Sequence, residues 1–299
     1  SAADAACYMA KDGGRNRVHT YRAEDQTARR HSEMKWTERI QKAFEHNRFR
    51  LLSRRIAGFA PDNSACVIDD LCLYMADENE RLIPTTAFIP AAERYQLMSA
   101  IDRWIVRSAF AQYAAAGDRP EQGSAPMPML MLRVSGNSLD DEQFIEFVNQ
   151  QFAHFGVPRA AICFSITEAT AVSNLTRSLR FIEALKPTGC RMALDDFGSG
   201  ISSFTYLKHL DIDFLKIDGS YVQGMVKDPV DFAKVEAIHR ITSAMGIESI
   251  AQHADTPQVL GMLREIGIRY VQGDAVMKEA PFYPALVARK DASDPAQVV

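Results

Sequence analysis

No apolar run in this 299-residue sequence approaches the roughly 18 residues that a membrane-spanning helix needs, and its first residues carry no signal-peptide core. Membrane contact within the chain is therefore not expected, and the expected location is the cytoplasm. Cysteine is sparse. Cys7, Cys66, Cys72, Cys163 and Cys190 are odd in number, scattered, and form no C-x-x-C pair, which argues against a disulfide framework and against a zinc site. A basic excess is missing too: Lys and Arg total 34 against 38 Asp and Glu, giving a formal net charge of −4. No global field draws this chain to DNA, RNA or an anionic membrane, so any anionic ligand must be held locally. What the sequence does have is 47% hydrophobic residues, enough for a packed core.

From about Phe49 onward, short apolar runs rich in β-branched residues alternate with segments of helical period, which points to a parallel α/β sheet or barrel. The predicted strands are RLLSRRI, SACVIDDLCLYM, MPMLMLRV, AAICFSIT, CRMALDD, DFLKID, IESIA and IRYVQG. Eight strands suit a barrel better than an open sheet. Five helical segments lie between them. The first, TTAFIPAAERYQLMSAIDRWIVRSAFAQYAAAG, has Pro90 placed for a first helical turn and Gly117 for a stop. The others are SLDDEQFIEFVNQQFAHFG, NLTRSLRFIEALKPTG, DPVDFAKVEAIHRITSAMG and DTPQVLGMLREIG. All five end in glycine, and in the last four a strand follows at once or after three residues. GDRPEQGSAP reads as an exposed loop.

Before Phe49 the character changes. Residues 1–22 read as a helix, a Gly-Gly turn and a short strand, too small for a core of their own, and residues 23–48 as a linker helix with Trp36, Ile40 and Phe44 on one stripe. The barrel is expected over 49–285, followed by a disordered tail over 286–299.

In a parallel α/β barrel, reactive groups sit where strands give way to loops at the carboxyl face. Those ends carry Asp70, Arg133, Ser165, Asp195 with Asp196, Lys216, Gln252 and Gln272. The glycine- and serine-rich FGSGISSFTYL that follows the aspartate pair suits a mobile lid. Seven histidines show no metal-ligand spacing; only His253 adjoins the proposed site.

With LDDFGSGISSFTYLKHLDIDFLKIDGSYV, FIPAAERYQLMSAIDRWIV and ITEAT in view, the chain resembles the EAL family of bacterial cyclic-di-GMP phosphodiesterases over about Phe49 to Pro284. The resemblance implies a TIM-type (β/α)8 barrel that uses two divalent metals. The first 22 residues are similar to the closing helix and strand of a GGDEF (diguanylate cyclase) domain, which implies a GGDEF–EAL tandem; the cyclase signature itself is absent.

Carried over by position, the family's Glu-Ala-Leu falls on Asp70-Leu71-Cys72, its asparagine metal ligand on Arg133, and the first glutamate of its E-I-T-E on Ser165. Its loop-anchoring glutamate is Glu168. Asp195, Asp196 and Lys216 match, a further glutamate becomes Gln252, and the late glutamine stays as Gln272. Ligand contacts are expected at Arg133, Arg54, Asp195, Phe197, Gly198, Ser199, Lys216 and Gln272, with Arg133 or Arg54 able to receive a phosphate directly where metal bridges it in the family. The phosphate-contacting arginine has become Tyr74, and the base-stacking aromatic Asp274.

The losses at Arg133, Ser165 and Gln252 weigh against metal. A guanidinium about 4 Å from a cation costs on the order of 4 kcal/mol per unit charge at an effective dielectric of 20, and arginine cannot shed its charge. No bound metal or other cofactor is therefore expected, and the first expectation is a non-enzyme: a catalytically inactive EAL domain serving as a cyclic-di-GMP receptor or regulatory module, dimeric, with an unidentified protein partner. The alternatives are a weak phosphodiesterase using Mg2+ or Mn2+ on Asp70, Asp195 and Asp196, or an interaction scaffold without nucleotide. Arg133 is expected to pair with Asp70 or Asp195, and Lys216 with Asp195, which would turn a former metal site into an ion-pair network. Gln252 and Gln272 read as hydrogen-bonding rim residues.

Overall fold

The computed structural model of the protein describes residues 35–58, 67–117, 127–198 and 204–282. Residues 1–34, 59–66, 118–126, 199–203 and 283–299 lie outside them, and with them the expectations for 1–22, for Ser199 and for 286–299. The chain divides into two compact units, Ser1–Arg50 with Leu73–Met98, and Leu51–Cys72 with Ser99–Val299.

Ten strands form one sheet: β1 (Phe49–Gly58), β2 (Ile68–Ala76), β3 (Leu82–Pro84), β4 (Met129–Arg133), β5 (Ile162–Thr167), β6 (Arg191–Phe197), β7 (Phe214–Ile217), β8 (Glu248–Ala251), β9 (Tyr270–Gln272) and β10 (Ala280–Pro281). All but β3 and β10 belong to a closed barrel, because β1 pairs with both β9 and β2. The expected barrel is therefore present, with one correction. From β2 through β9 the barrel pairings are parallel, but β1 runs antiparallel to β9, with Ile56 opposite Gln272. Hydrophobic period marks a strand's faces but not its direction.

Ile56, Ile68, Met131, Cys163, Ala193, Phe214, Ile250 and Tyr270, one residue from each barrel strand, form a buried layer inside the barrel. Side chains alternate along a strand, so the inward position two residues nearer the carboxyl mouth belongs to the same face. On β2, β4, β5, β6, β7, β8 and β9 that position is Asp70, Arg133, Ser165, Asp195, Lys216, Gln252 and Gln272. The apolar layer is the floor of the site.

Helix α1 (35–45) belongs to the first unit. Ile40 is buried, Trp36 packs against Phe88 with ring centroids 6.4 Å apart, and Phe44 packs edge-on against Phe49 at 4.9 Å, so the predicted stripe is the one that faces inward. The long helix predicted over Thr85–Gly117 is two, α2 (Thr85–Arg94) and α3 (Met98–Gly117). Gln96 adopts φ 56° between them, and Pro90 sits inside α2 rather than in its first turn. Such a left-handed residue cannot continue a helix. The second predicted helix likewise divides into α4 (Gly136–Asp140) and α5 (Phe144–Phe155). Next come α6 (Glu168–Ser173), α7 (Leu175–Leu185), α8 (Gly219–Gly224), α9 (Pro229–Ala244) and α10 (Pro257–Ile266). The glycine stops at 156, 189, 246 and 267 all have positive φ, the conformation that turns a chain out of a helix toward the next strand.

Buried Asp102 on α3 accepts hydrogen bonds from the Ser135 amide (2.9 Å), the Ser135 hydroxyl (2.6 Å) and the Ser138 hydroxyl (2.6 Å). It fixes the turn that leaves β4 immediately after Arg133. No helix among the described residues is long and apolar enough to cross a membrane.

Candidate functional site

The mouth layer is a bonded network. Lys216, fully buried, donates from Nζ to Asp70 Oδ2 at 2.6 Å and to Asp195 Oδ2 at 3.1 Å. Gln272 Nε2 donates to Asp70 Oδ2 at 2.9 Å, and Gln252 Nε2 to Asp195 Oδ1 at 2.9 Å. The Asp196 amide also donates to Asp195 Oδ1, at 2.8 Å. Arg133 Nη2 lies 2.5 Å from Asp195 Oδ2 and 3.3 Å from Asp196 Oδ2.

Both aspartates reach one guanidinium because the strand is irregular there. In a regular strand their side chains would point to opposite faces. The β6–β7 register shifts between Leu194 and Phe197, and Asp196 adopts φ 55°. Aspartate tolerates this left-handed conformation better than most residues, and a bulge re-aims the side chain that follows it.

Charge and burial set the protonation states. Burial alone would push the Asp195 carboxyl up, but Lys216 and Arg133 outweigh it and hold the group far below the usual carboxylate range. Asp196 moves the other way, raised by burial and by the Asp195 charge beside it. Lys216 and Arg133 are both raised, their carboxylate partners prevailing over burial that would lower them. Counted formally, Asp70, Asp195 and Asp196 set three negative charges against the two positive charges of Lys216 and Arg133.

That arrangement does not fit a pair of divalent metals. Such a pair brings four positive charges and needs carboxylate oxygens free to face it. Both oxygens of Asp195 already accept two donors each, Asp70 Oδ2 accepts two, and the Arg133 cation sits on the Asp195–Asp196 pair. Among the described residues no group of three or more His, Cys, Asp or Glu side chains is placed to hold a metal ion.

Other residues named from the sequence lie elsewhere. The Arg54 guanidinium pairs with Glu279, 3.4 Å away. Phe197, expected to contact ligand, is instead fully buried, its ring 5.4 Å from that of Phe204. Gly198 has both backbone groups engaged: its amide donates to Glu168 Oε2 at 2.8 Å, and its carbonyl accepts from the Tyr221 hydroxyl. Ser165 is fully buried and its hydroxyl has no partner among the described residues. Asp274 is exposed, and its amide donates to Asp255. His253 is half-exposed, 3.8 Å from Asp255. Tyr74 lies in the other unit, opposite Pro84. Arg133 itself is half-exposed rather than buried, and pairs with Asp195 and Asp196, not with Asp70.

The sequence pointed to Glu168 as a loop anchor but not to its second partner. The Tyr206 hydroxyl donates to Glu168 Oε1 at 2.6 Å, so one buried carboxylate ties Tyr206 to Gly198. Tyr206 lay inside the quoted loop stretch, but nothing in its spacing marks the bond. Burial, then the Glu168 hydrogen bond and charge, raise its phenol well above the ordinary value of about 10. A raised group stabilises the fold below its unfolded pKa and loses that contribution as pH climbs through the folded one. Y206F is therefore expected to be less stable than wild type by about 1–2 kcal/mol at pH 8. The gap should narrow above about pH 10, by up to about 1 kcal/mol per pH unit. Urea unfolding of both proteins from pH 8 to 11 measures it; a gap that persists unchanged at pH 11 would separate the phenol's charge from stability.

The fold and the site together define a closed α/β barrel with an ion-paired cluster at its carboxyl mouth. Residues 70–279 match the EAL domain family model, and the chain belongs to that family, the cyclic-di-GMP phosphodiesterase family. It is 34% identical, over 93% of its length, to the cyclic di-GMP phosphodiesterase PdeB of Shewanella oneidensis, and 29% identical, over 83%, to PdeF of Escherichia coli, also named a cyclic di-GMP phosphodiesterase. It spans 32% of the length of each, about a third. The FimX EAL domain of Xanthomonas citri, solved in complex with c-diGMP, superposes with a TM-score of 0.75 at 25% identity, covering 86% of this chain and 98% of that one.

These relatives correct the expectation of a non-enzyme. Two curated relatives carry an enzyme's name, which points to an enzyme. That expectation weighed the substitutions at Arg133, Ser165 and Gln252 and the cation that Arg133 brings, and changes at a few side chains do not by themselves decide whether a family's chemistry persists.

Proposed function

We propose that this chain binds cyclic di-GMP at the carboxyl mouth of the barrel and hydrolyses a phosphodiester of it with low turnover. The observation that carries the reading is the bonded cluster of Asp70, Asp195, Lys216 and Gln272 at one level of the mouth, in a chain 34% identical to a protein named a cyclic di-GMP phosphodiesterase. A phosphodiester is an anion, and cations pointed at its oxygens stabilise the charge that builds there during hydrolysis. Lys216 is fixed by two carboxylates, and Arg133 by the aspartate pair.

Hydrolysis on this reading calls for Mg2+ or Mn2+; the mouth as bonded does not fit a pair of them, and a single ion would have to displace protein donors from the oxygens of Asp70, Asp195 or Asp196. Because those oxygens are already bonded to protein donors, turnover is expected to be far below that of a site with its full ligand set. Long incubation of the chain with cyclic di-GMP and millimolar Mn2+ or Mg2+, followed by chromatography, is expected to yield linear dinucleotide, and none in EDTA. No product with either cation overturns the reading.

A further inference from the structure

The mismatch between the mouth and a metal pair has a positive counterpart. Arg133 stands on β4 at the level of Asp195 and Lys216, and its contacts with Asp195 and Asp196 are both made by one nitrogen, Nη2. Among the described residues nothing engages Nε or Nη1, and 49% of the side chain is exposed. Directly across the β4–β5 register stands Ser165, small and uncharged, so the neighbouring strand offers the guanidinium no carboxylate. Arg133 is thus anchored on one edge and open on the other, with its charge permanently in place.

We infer that Arg133 occupies the position of a bridging cation and takes a phosphodiester oxygen of the ligand directly on its open edge, so that nucleotide binding at this mouth needs no divalent metal. A guanidinium presents paired N–H donors in the plane that phosphate oxygens accept from, which an ammonium or an amide does not reproduce. Asp195 and Asp196 hold the group in position and keep it aimed by their own charge. This inference rests on the proposed ligand, cyclic di-GMP, but not on its hydrolysis.

Calorimetric titration of cyclic di-GMP into the whole chain, in EDTA and in Mg2+, tests it. Wild type is expected to bind equally in both buffers, within about threefold. R133N should bind at least about tenfold more weakly in EDTA, in line with loss of a charged hydrogen bond. R133K retains the charge that compensates Asp195 and so keeps the network intact; it should bind with intermediate affinity in both buffers, which keeps the test decisive if R133N does not fold. Wild-type binding abolished by EDTA, or full-strength binding by R133K and R133N in EDTA, overturns the inference. Chelator-resistant binding with no linear product would sink hydrolysis and leave the inference standing. Product formation with chelator-sensitive binding would do the reverse, and no binding in either buffer would sink both.

Discussion

Replacing Lys216 by methionine is expected to lower the melting temperature by roughly 6–20 °C, the equivalent of about 3–5 kcal/mol. Lys216 is 1% exposed and bridges Asp70 and Asp195 from the floor of the mouth. Methionine fills similar space but leaves two buried carboxylates facing each other with their shared cation gone, and an uncompensated buried charge costs far more than a broken surface pair. Arg133 and Gln252 still reach Asp195, whereas Asp70 keeps only Gln272 among its charge-stabilising side-chain donors, so the damage centres on Asp70. A second change, D70N, removes one of the two stranded charges and should recover part of the loss, a coupling that a double-mutant cycle reads directly. Calorimetric melting of the four proteins is the measurement. An unchanged melting temperature for K216M would mean that the carboxylates are neutralised by other means.

Gly273→Ala is the second large effect. A Cβ on Gly273 would stand 2.4–2.5 Å from the backbone N, C and O of Ala254, atoms that cannot swing aside as a flexible side chain can. The Ala254 amide donates to the Gln272 carbonyl at 2.9 Å, so this contact is part of how the ends of β8 and β9 are held together. The new methyl must push Gln252 and Gln272 apart, and with them the amides that satisfy Asp195 and Asp70. The cost is expected at or above the upper end of the about 1–3 kcal/mol usual for overpacking, with loss of cyclic di-GMP binding. Urea unfolding together with titration checks both parts; wild-type stability and affinity would show that the strand ends are looser than described.

Much of the barrel was legible from the sequence, because the pattern of apolar and polar residues records which face of a strand is buried. The layer Asp70, Arg133, Asp195, Lys216 and Gln272 could be listed from strand ends alone for the same reason. What the pattern does not carry is direction and backbone twist. It left β1 with no sense of running antiparallel, and the Asp195–Asp196 pair with no sign of the bulge that turns both toward Arg133. The break at Gln96 was hidden because glutamine is an ordinary helix former and only its backbone angle ends α2. Long-range partners were hidden as well: nothing local couples Arg54 to Glu279 or Tyr206 to Glu168. At Phe197 a ligand contact was expected from the family resemblance, whereas the side chain is fully buried.

The reversed first strand has a consequence for how the chain is made. Ile56 finds its partner Gln272 only when most of the barrel has been synthesised, which at about 5–20 residues per second leaves on the order of ten seconds or more with that seam open. Contacts this distant along the chain are slow to form, and until they do one edge of β1 lacks its β9 partner and is open to other chains. A barrel of this topology can close only once its last strand has emerged, and the interval before closure is when a chaperone would have the most to protect.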